Sequence, residues 1–192
     1  MSGRKAAVEE TRARIQEATY LLWLELPYDA LTVAAVARRA EVTRQTVIRH
    51  FGSKEALILA AAAWQQPREE AARRVEPGDV RGAVTRLVER YDLSGDANVR
   101  LLELEGRSPT VAEMLRRGRK SHRRWLAETF APQLEGLARR DKRLTVDALY
   151  AATDVMNWKL LRRDFGRSSA DTEAVLLRLV EGALVSEKGD AR

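Results

Sequence analysis

Residues 32–57 read TVAAVARRAEVTRQTVIRHFGSKEAL and hold the strongest structural signal in the chain. Thr32 is a helix-capping residue, and apolar residues follow it at the spacing of one helical face. Glu41 and Val42 stand where a short turn is needed, and Thr43 can cap a second helix. This arrangement of two short helices joined by a tight turn predicts a helix-turn-helix.

The second helix of this motif has two different faces. Val47 and Phe51 lie four residues apart and form the buried face. The opposite face exposes Arg44, Gln45, Ile48 and Arg49. Arg suits the O6 and N7 atoms of guanine and Gln suits adenine, so this face fits a major groove. A third helix, capped by Ser53 and starting at Lys54, offers N–H groups and a cation to a phosphate.

The composition narrows the class of protein. The chain has 192 residues, a formal charge of +6, two histidines and no cysteine. Disulfides, thiolate metal sites and cysteine catalysis are therefore excluded, and we expect no metal site and no cofactor. No nucleophile or carboxylate cluster stands out, so we expect no enzyme. The start of the chain lacks an apolar signal core and no apolar run approaches the roughly 20 residues of a membrane span, which predicts a soluble, cytoplasmic protein.

The remaining pattern is helical, since alternating strand-like runs are not visible. We expect a first helix over about 8–26 and a fourth over 53–66, which Pro67 breaks or kinks. The predicted fold is all-α, with a DNA-binding domain at 1–66, including the connecting helix 53–66, and a helical domain at 67–192.

In the second domain, helices are predicted over 80–92 and 99–106 with a loop at 94–98 between them. Further helices follow from Ser108 and over 121–136, and two long ones over 146–165 and 171–187. The last two carry apolar stripes that fit either an intrachain core or an interface. The basic run 116–124 is interpreted as a solvated helix flank, with a DNA or anionic-ligand surface as alternatives, and His122 within it as a surface residue.

The motif resembles the TetR/AcrR family of transcriptional regulators at residues 28–33, 41–43 and 46–57. Three residues depart from the family pattern. Pro27 stands where the family usually has Gly, and Glu41 replaces a turn Gly. Ile48 replaces a Tyr whose hydroxyl touches a phosphate in the family, and it could meet a thymine methyl instead.

The resemblance implies a sequence-specific, DNA-binding regulator that works as a homodimer. The implied DNA-contacting residues are Thr32, Thr43, Arg44, Gln45, Thr46, Ile48, Arg49, His50 and Lys54. In the family the two C-terminal helices pair with those of a second subunit. Such a dimer would place two recognition helices on a palindromic operator whose half-sites lie about one helical turn, ~34 Å, apart.

The family's helical domain usually encloses an apolar pocket for a small molecule. The candidate ligand-binding residues are Tyr91, Met114, Trp125, Asp154, Asn157 and Trp158, with core filling as the alternative for each. We therefore expect a repressor that a small-molecule effector releases from its operator. The alternatives are a recombinase-like enzyme acting on DNA and a non-specific architectural DNA-binding protein.

Overall fold

A computed structural model describes residues 2–185, and within that range the regular secondary structure is helical, without strands. The predicted all-α class is therefore confirmed. The helices are α1 Ser2–Glu25, α2 Val33–Arg39, α3 Arg44–Phe51, α4 Lys54–Ala72, α5 Val80–Leu102, α6 Pro109–Thr129, α7 Arg139–Ala152, α8 Val155–Lys159 and α9 Ser169–Val185. A π-helical turn, Leu160–Asp164, directly follows α8. Within the described range no helix combines the length and apolarity needed to cross a membrane.

The chain divides into two units, and the division differs from the predicted boundary after residue 66. The N-terminal unit runs to Glu69 and also contains Arg100–Met114, while Glu70–Val99 and the chain from Leu115 form the C-terminal unit. Contacts distant in sequence explain this. Arg100 donates a 2.9 Å hydrogen bond to the carbonyl of Leu24, and Met114 packs against the N-terminal core.

The N-terminal unit encloses its own apolar core. Its most deeply buried side chains are Ile15, Leu31, Val36, Val47 and Leu57, each at most 1% exposed. One side chain from each of α1, the loop before α2, α2, α3 and α4 thus meets at the centre. Burying a Val, Leu or Ile side chain contributes about 1.5–3 kcal/mol, so this core alone can hold the short helices α2 and α3 in place.

Helix α4 continues through Pro67 to Ala72, so the predicted end at residue 66 is wrong. A proline inside a helix removes one N–H donor and disturbs the turn before it. The guanidinium of Arg68 donates a 2.8 Å hydrogen bond to the carbonyl of Trp64 in that turn and lies over its ring, 3.7 Å from the centroid. These contacts tie the Arg68 side chain to the turn that the proline disturbs.

Helix α5 is continuous over Val80–Leu102, and the loop predicted at 94–98 does not exist. Gly95 packs directly against the Trp158 ring, and a Cβ atom there would overlap Cζ3 of Trp158. Ser94 donates a 3.0 Å hydrogen bond to the Arg90 carbonyl, and Asp96 pairs with Arg163 at 2.9 Å. Residues that locally favour a loop are held in a helix by close packing and by ion pairing.

The two predicted C-terminal helices also need correction. The first begins at Arg139 instead of 146 and is interrupted after Ala152, where Asp154 caps a new helix by accepting a 2.9 Å hydrogen bond from the Met156 amide. The second, α9, starts at Ser169, and the Ser168 hydroxyl accepts a 3.0 Å hydrogen bond from the Asp171 amide. Its predicted end at Glu187 lies outside the described residues.

Helices α5, α8 and α9 meet at the carboxylate of Asp92. This group accepts hydrogen bonds from the Trp158 indole at 2.8 Å, the Arg162 guanidinium at 2.9 Å and the Ser169 hydroxyl at 2.8 Å. Burial raises the pKa of Asp92, but these hydrogen bonds outweigh it and the net shift is downward. The core around this junction includes Val84, Leu87, Leu126, Phe130, Leu149, Leu176 and Val180.

Candidate functional site

Two threonine caps and one unusual turn residue define the helix-turn-helix. The hydroxyl of Thr32 accepts a 3.1 Å hydrogen bond from the Ala35 amide, and that of Thr43 accepts one of 3.1 Å from the Thr46 amide. Both predicted caps are therefore confirmed. Between the helices, Glu41 has a positive φ of 53°, a left-handed conformation that favours glycine.

Helix α3 presents a polar, exposed surface on the side opposite its buried face. Val47 is 1% exposed and Phe51 is 9% exposed, as the pattern predicted. The exposed side chains are Arg44, Gln45, Ile48 and Arg49. Within residues 2–185, Arg44, Gln45 and Arg49 have no hydrogen-bond or ion-pair partner, so their donors are available to an external ligand.

Sequence reasoning missed Arg12, which supports the C-terminal end of α3. Its guanidinium donates a 3.1 Å hydrogen bond to the His50 carbonyl and lies 4.6 Å from the centroid of the Phe51 ring. A cation at a helix C-terminus satisfies carbonyls that the helix cannot pair internally. The local sequence carries no signal for this contact, because Arg12 is 38 residues from His50.

Besides the two capping threonines, three of the predicted contact residues have contacts within the protein. The Lys54 ammonium donates a 2.9 Å hydrogen bond to the Tyr28 carbonyl and lies 4.5 Å from the centroid of the Tyr28 ring. The Thr46 hydroxyl lies 2.9 Å from that of Thr43. His50 is half-buried, with its ring 6.1 Å from that of Phe51. Lys54 retains further donors, since an ammonium has three.

Another basic residue next to the motif has an acidic partner. Arg39, at the end of α2, makes two hydrogen bonds of 3.0 Å to the carboxylate of Glu25. Such a bidentate pair fixes the guanidinium in one orientation. Arg39 is therefore less available to an external ligand than Arg44 and Arg49, which have no such partner in the described chain.

The predicted ligand-binding residues fall in both units, five of them in the C-terminal unit, and the polar groups of these five have internal partners. Trp158 is fully buried, and the centroid of its ring lies 6.2 Å from that of Tyr91. The Tyr91 hydroxyl donates a 2.9 Å hydrogen bond to the Thr153 carbonyl. Trp125 donates to the Arg73 carbonyl at 3.2 Å, and the Asn157 amide donates to the Ala151 carbonyl at 2.6 Å. Asp154 caps α8, and Met114 belongs to the N-terminal unit.

His122 is buried, so its predicted position on the surface is wrong. Its ring nitrogens lie 3.2 Å from the Arg73 guanidinium and 2.9 Å from the Thr153 hydroxyl. The ring stacks on Trp125 at 5.5 Å between centroids. Burial first, and then the charge of Arg73, lowers the pKa of His122 to about 3, so the imidazole is neutral near pH 7. Because basic residues flank His122 in the sequence, its burial could not be predicted from the local pattern.

The basic run itself lies on the surface of α6, as expected for a solvated flank. Its basic members Arg116, Arg117, Arg119, Lys120, Arg123 and Arg124 are all exposed. Arg123 pairs with Asp147, and Arg124 pairs with Glu70. These acidic partners therefore reduce the positive electrostatic potential of the basic run.

Comparison with known proteins agrees with this geometry. Residues 15–61 match the family described as bacterial regulatory proteins, tetR family. The HTH-type transcriptional repressor KstR of Rhodococcus jostii (strain RHA1) is 29% identical over 181 residues, covering 94% of this chain and 70% of that protein. A crystal structure from Pseudomonas aeruginosa PAO1, described as that of a candidate transcriptional regulator, has a TM-score of 0.68 at 17% identity and covers 92% of this chain and 91% of its own.

A helix-turn-helix with an unpaired basic and amide face defines a DNA-binding regulator. The region that the family model matches, residues 15–61, is the helix-turn-helix region of the tetR family of bacterial regulatory proteins.

Proposed function

We propose that the protein is a homodimeric repressor that binds a palindromic operator and leaves it when a small molecule binds the C-terminal unit. The exposed face of α3 is the main observation in support of sequence-specific DNA binding. Arg44, Gln45 and Arg49 are exposed and have no partner in the described chain, and Arg and Gln can each make bidentate contacts to bases. Repression is proposed because KstR, the relative described above, is named a repressor.

The proposed DNA contacts divide into two groups by chemistry. Arg44, Gln45, Ile48 and Arg49 read base edges, with Ile48 against a thymine methyl. Thr32, Thr43, Thr46, His50 and Lys54 contact the phosphate backbone, which fixes the register but carries no sequence information. Lys54 can take part only with the donors that its bond to Tyr28 leaves.

Exposed apolar side chains support the proposed dimer. Those on α8, the π-helical turn and α9 with their flanking residues are Met156 (46% exposed), Leu160 (40%), Phe165 (56%), Val175 (36%), Leu179 (46%) and Val185 (73%). The buried residues Leu176, Leu177 and Val180 already complete the internal core of α9. These exposed side chains lie outside that core, and exposed apolar area of this kind commonly marks an interface.

The last turns of α4 support a coupling between effector and DNA. Glu70 accepts hydrogen bonds from Ser121 and Arg124 on α6. Directly after α4, the side chain of Arg73 contacts His122 and its carbonyl accepts from Trp125. An effector near Tyr91, Trp125, Asp154, Asn157 or Trp158 that moves α6 would also move the end of α4. The effector must bind the DNA-incompetent state more tightly than the DNA-competent state, because otherwise it does not shift the equilibrium between them.

Selection of bound duplexes from a random DNA pool tests the proposal. We expect an enriched palindrome, and Arg44→Ala should lose preference at one position of each half-site. Binding without any enriched sequence would indicate an architectural protein instead. Small molecules that change tryptophan fluorescence are then titrated with and without the selected duplex. Operator and effector must weaken each other by the same factor, and equal affinities in both titrations would contradict effector release.

A further inference from the structure

The start of α7 has an unusual charge distribution. Residues 139–143 read RRDKR, with four cations and one acid. The first turns of a helix carry partial positive charge and favour acidic side chains. Arg139 and Arg143 are also four residues apart, a spacing at which like charges repel. This arrangement opposes helix stability, so folding does not explain it.

The three arginines of this segment border an open depression of about 550 Å³, and among the described residues they are the ones that line it. All three are exposed. In the chain as far as it is described, their guanidiniums have no hydrogen-bond or ion-pair partner. This distinguishes them from Arg123 and Arg124 on α6, which are paired with acids. Lys142 lies in the same turn but does not line the depression.

The backbone at this position adds donors of the same sign. Ala138 is the N-cap of α7 and makes no side-chain capping bond. The first N–H groups of a helix have no partner within the helix, so a ligand or water must satisfy them. Three guanidiniums and uncapped N–H groups therefore offer donors and positive charge to whatever occupies the depression, against the single carboxylate of Asp141 in the same turn.

We propose that this depression, the Arg139–Arg140–Arg143 site, binds a small molecule carrying two or more phosphate groups. Guanidinium groups bind phosphate with two parallel hydrogen bonds, and several of them favour a polyanion over a single carboxylate. The volume is that of small-molecule sites. The site is separate from the residues proposed above for the effector and does not depend on effector release from DNA.

The test is calorimetric titration of the full chain with inorganic tripolyphosphate in about 150 mM salt, which screens the general field of the protein. The background carries Arg44→Gln and Arg49→Gln, which remove the strongest competing cations from α3. We expect saturable binding below about 1 mM. Arg140→Gln should weaken it several-fold, and Gln at all three positions should weaken it by at least about tenfold.

Two controls remove one positive charge each without altering the site. Lys142→Gln acts in the same turn, and Arg178→Gln acts on the exposed side of α9; both should leave the affinity within about twofold, since they remove only screened charge. The proposal is overturned if Lys142→Gln weakens binding as much as Arg140→Gln, which would indicate a diffuse field. It is also overturned by the absence of saturable binding, or by binding to phosphatidylserine vesicles without binding to tripolyphosphate.

Discussion

The guanidinium of Arg12 donates a 3.1 Å hydrogen bond to the carbonyl of His50 and covers the ring of Phe51. This contact joins α1 to the last turn of α3, the helix that exposes Arg44, Gln45 and Arg49. The direction in which α3 presents those side chains therefore depends on a residue outside the helix-turn-helix.

Replacing Arg12 with Ala should lower the free energy of unfolding by about 1–2 kcal/mol, because a charged hydrogen bond and a cation–π contact are lost together. Urea denaturation measures this. The matched control is Arg14→Ala, which removes an exposed arginine from the same helix. Equal losses in both variants would show that helix propensity, and not the His50 contact, is responsible.

Glu41 lies in the turn with a φ of 53°, where a residue with a Cβ is strained. Glu41→Gly should raise the free energy of unfolding by about 0.5–1 kcal/mol, because the relief of strain exceeds the added flexibility of the unfolded chain. Glu41→Ala removes the same carboxylate but keeps the strain, so it should give no gain. If Ala stabilises as much as Gly, the effect is electrostatic and not conformational.

Arg44 and Lys54 should respond differently to DNA sequence. Arg44→Ala should cost about 1–3 kcal/mol on the selected operator and relax preference at one base pair. Lys54→Met should weaken all duplexes alike and reduce the salt dependence by about one unit. It should also lower the stability of the N-terminal unit, because the bond to the Tyr28 carbonyl is lost. Binding at several salt concentrations to operator and scrambled duplexes separates the two effects.

His122 should make folding depend on pH. Its pKa is lowered to about 3 in the folded chain, mainly by burial, while the unfolded chain has the ordinary value of 6.5. Below pH 6.5 His122 is therefore protonated in the unfolded chain but still neutral in the folded chain. The free energy of unfolding falls as the pH decreases from 6.5 towards 3. His122→Phe should flatten this part of the profile. In NMR titrations the His122 imidazole signals should stay constant from about pH 8 to pH 5, and a midpoint near the ordinary value would contradict its burial.

The helix-turn-helix could be predicted because its determinants are local. Thr32 and Thr43 cap helices through amides three residues away, and Val47 and Phe51 share a face through the helical repeat alone. The same local rules placed Arg44 and Gln45 on the exposed side. These features need no knowledge of the rest of the chain.

The C-terminal unit could not be predicted to the same depth, because contacts distant in sequence determine it. From the local sequence Gly95 is predicted to lie in a loop, whereas in the structure it packs against the Trp158 ring inside a helix. His122 reads as a surface residue among arginines, yet its partners Arg73 and Thr153 lie 49 and 31 residues away. Pairings of this kind leave no periodic signal, so propensity and spacing gave the wrong answer at both positions.

The exposed apolar surface of α8 and α9 leads to the last prediction. Leu179 is 46% exposed in the single chain, and in the proposed dimer it would be buried against the second copy. Leu179→Glu would place an unpaired charge in that interface and should raise the dissociation constant by roughly a hundredfold or more. Sedimentation velocity across a concentration series measures it. Val8→Glu is the control, because Val8 is equally exposed at 46% but belongs to α1 in the N-terminal unit. If the unmodified protein sediments as a monomer at micromolar concentration, or if both variants dissociate alike, the interface proposed here is wrong. The palindromic operator would then lose its structural basis, since the two half-sites require two linked recognition helices.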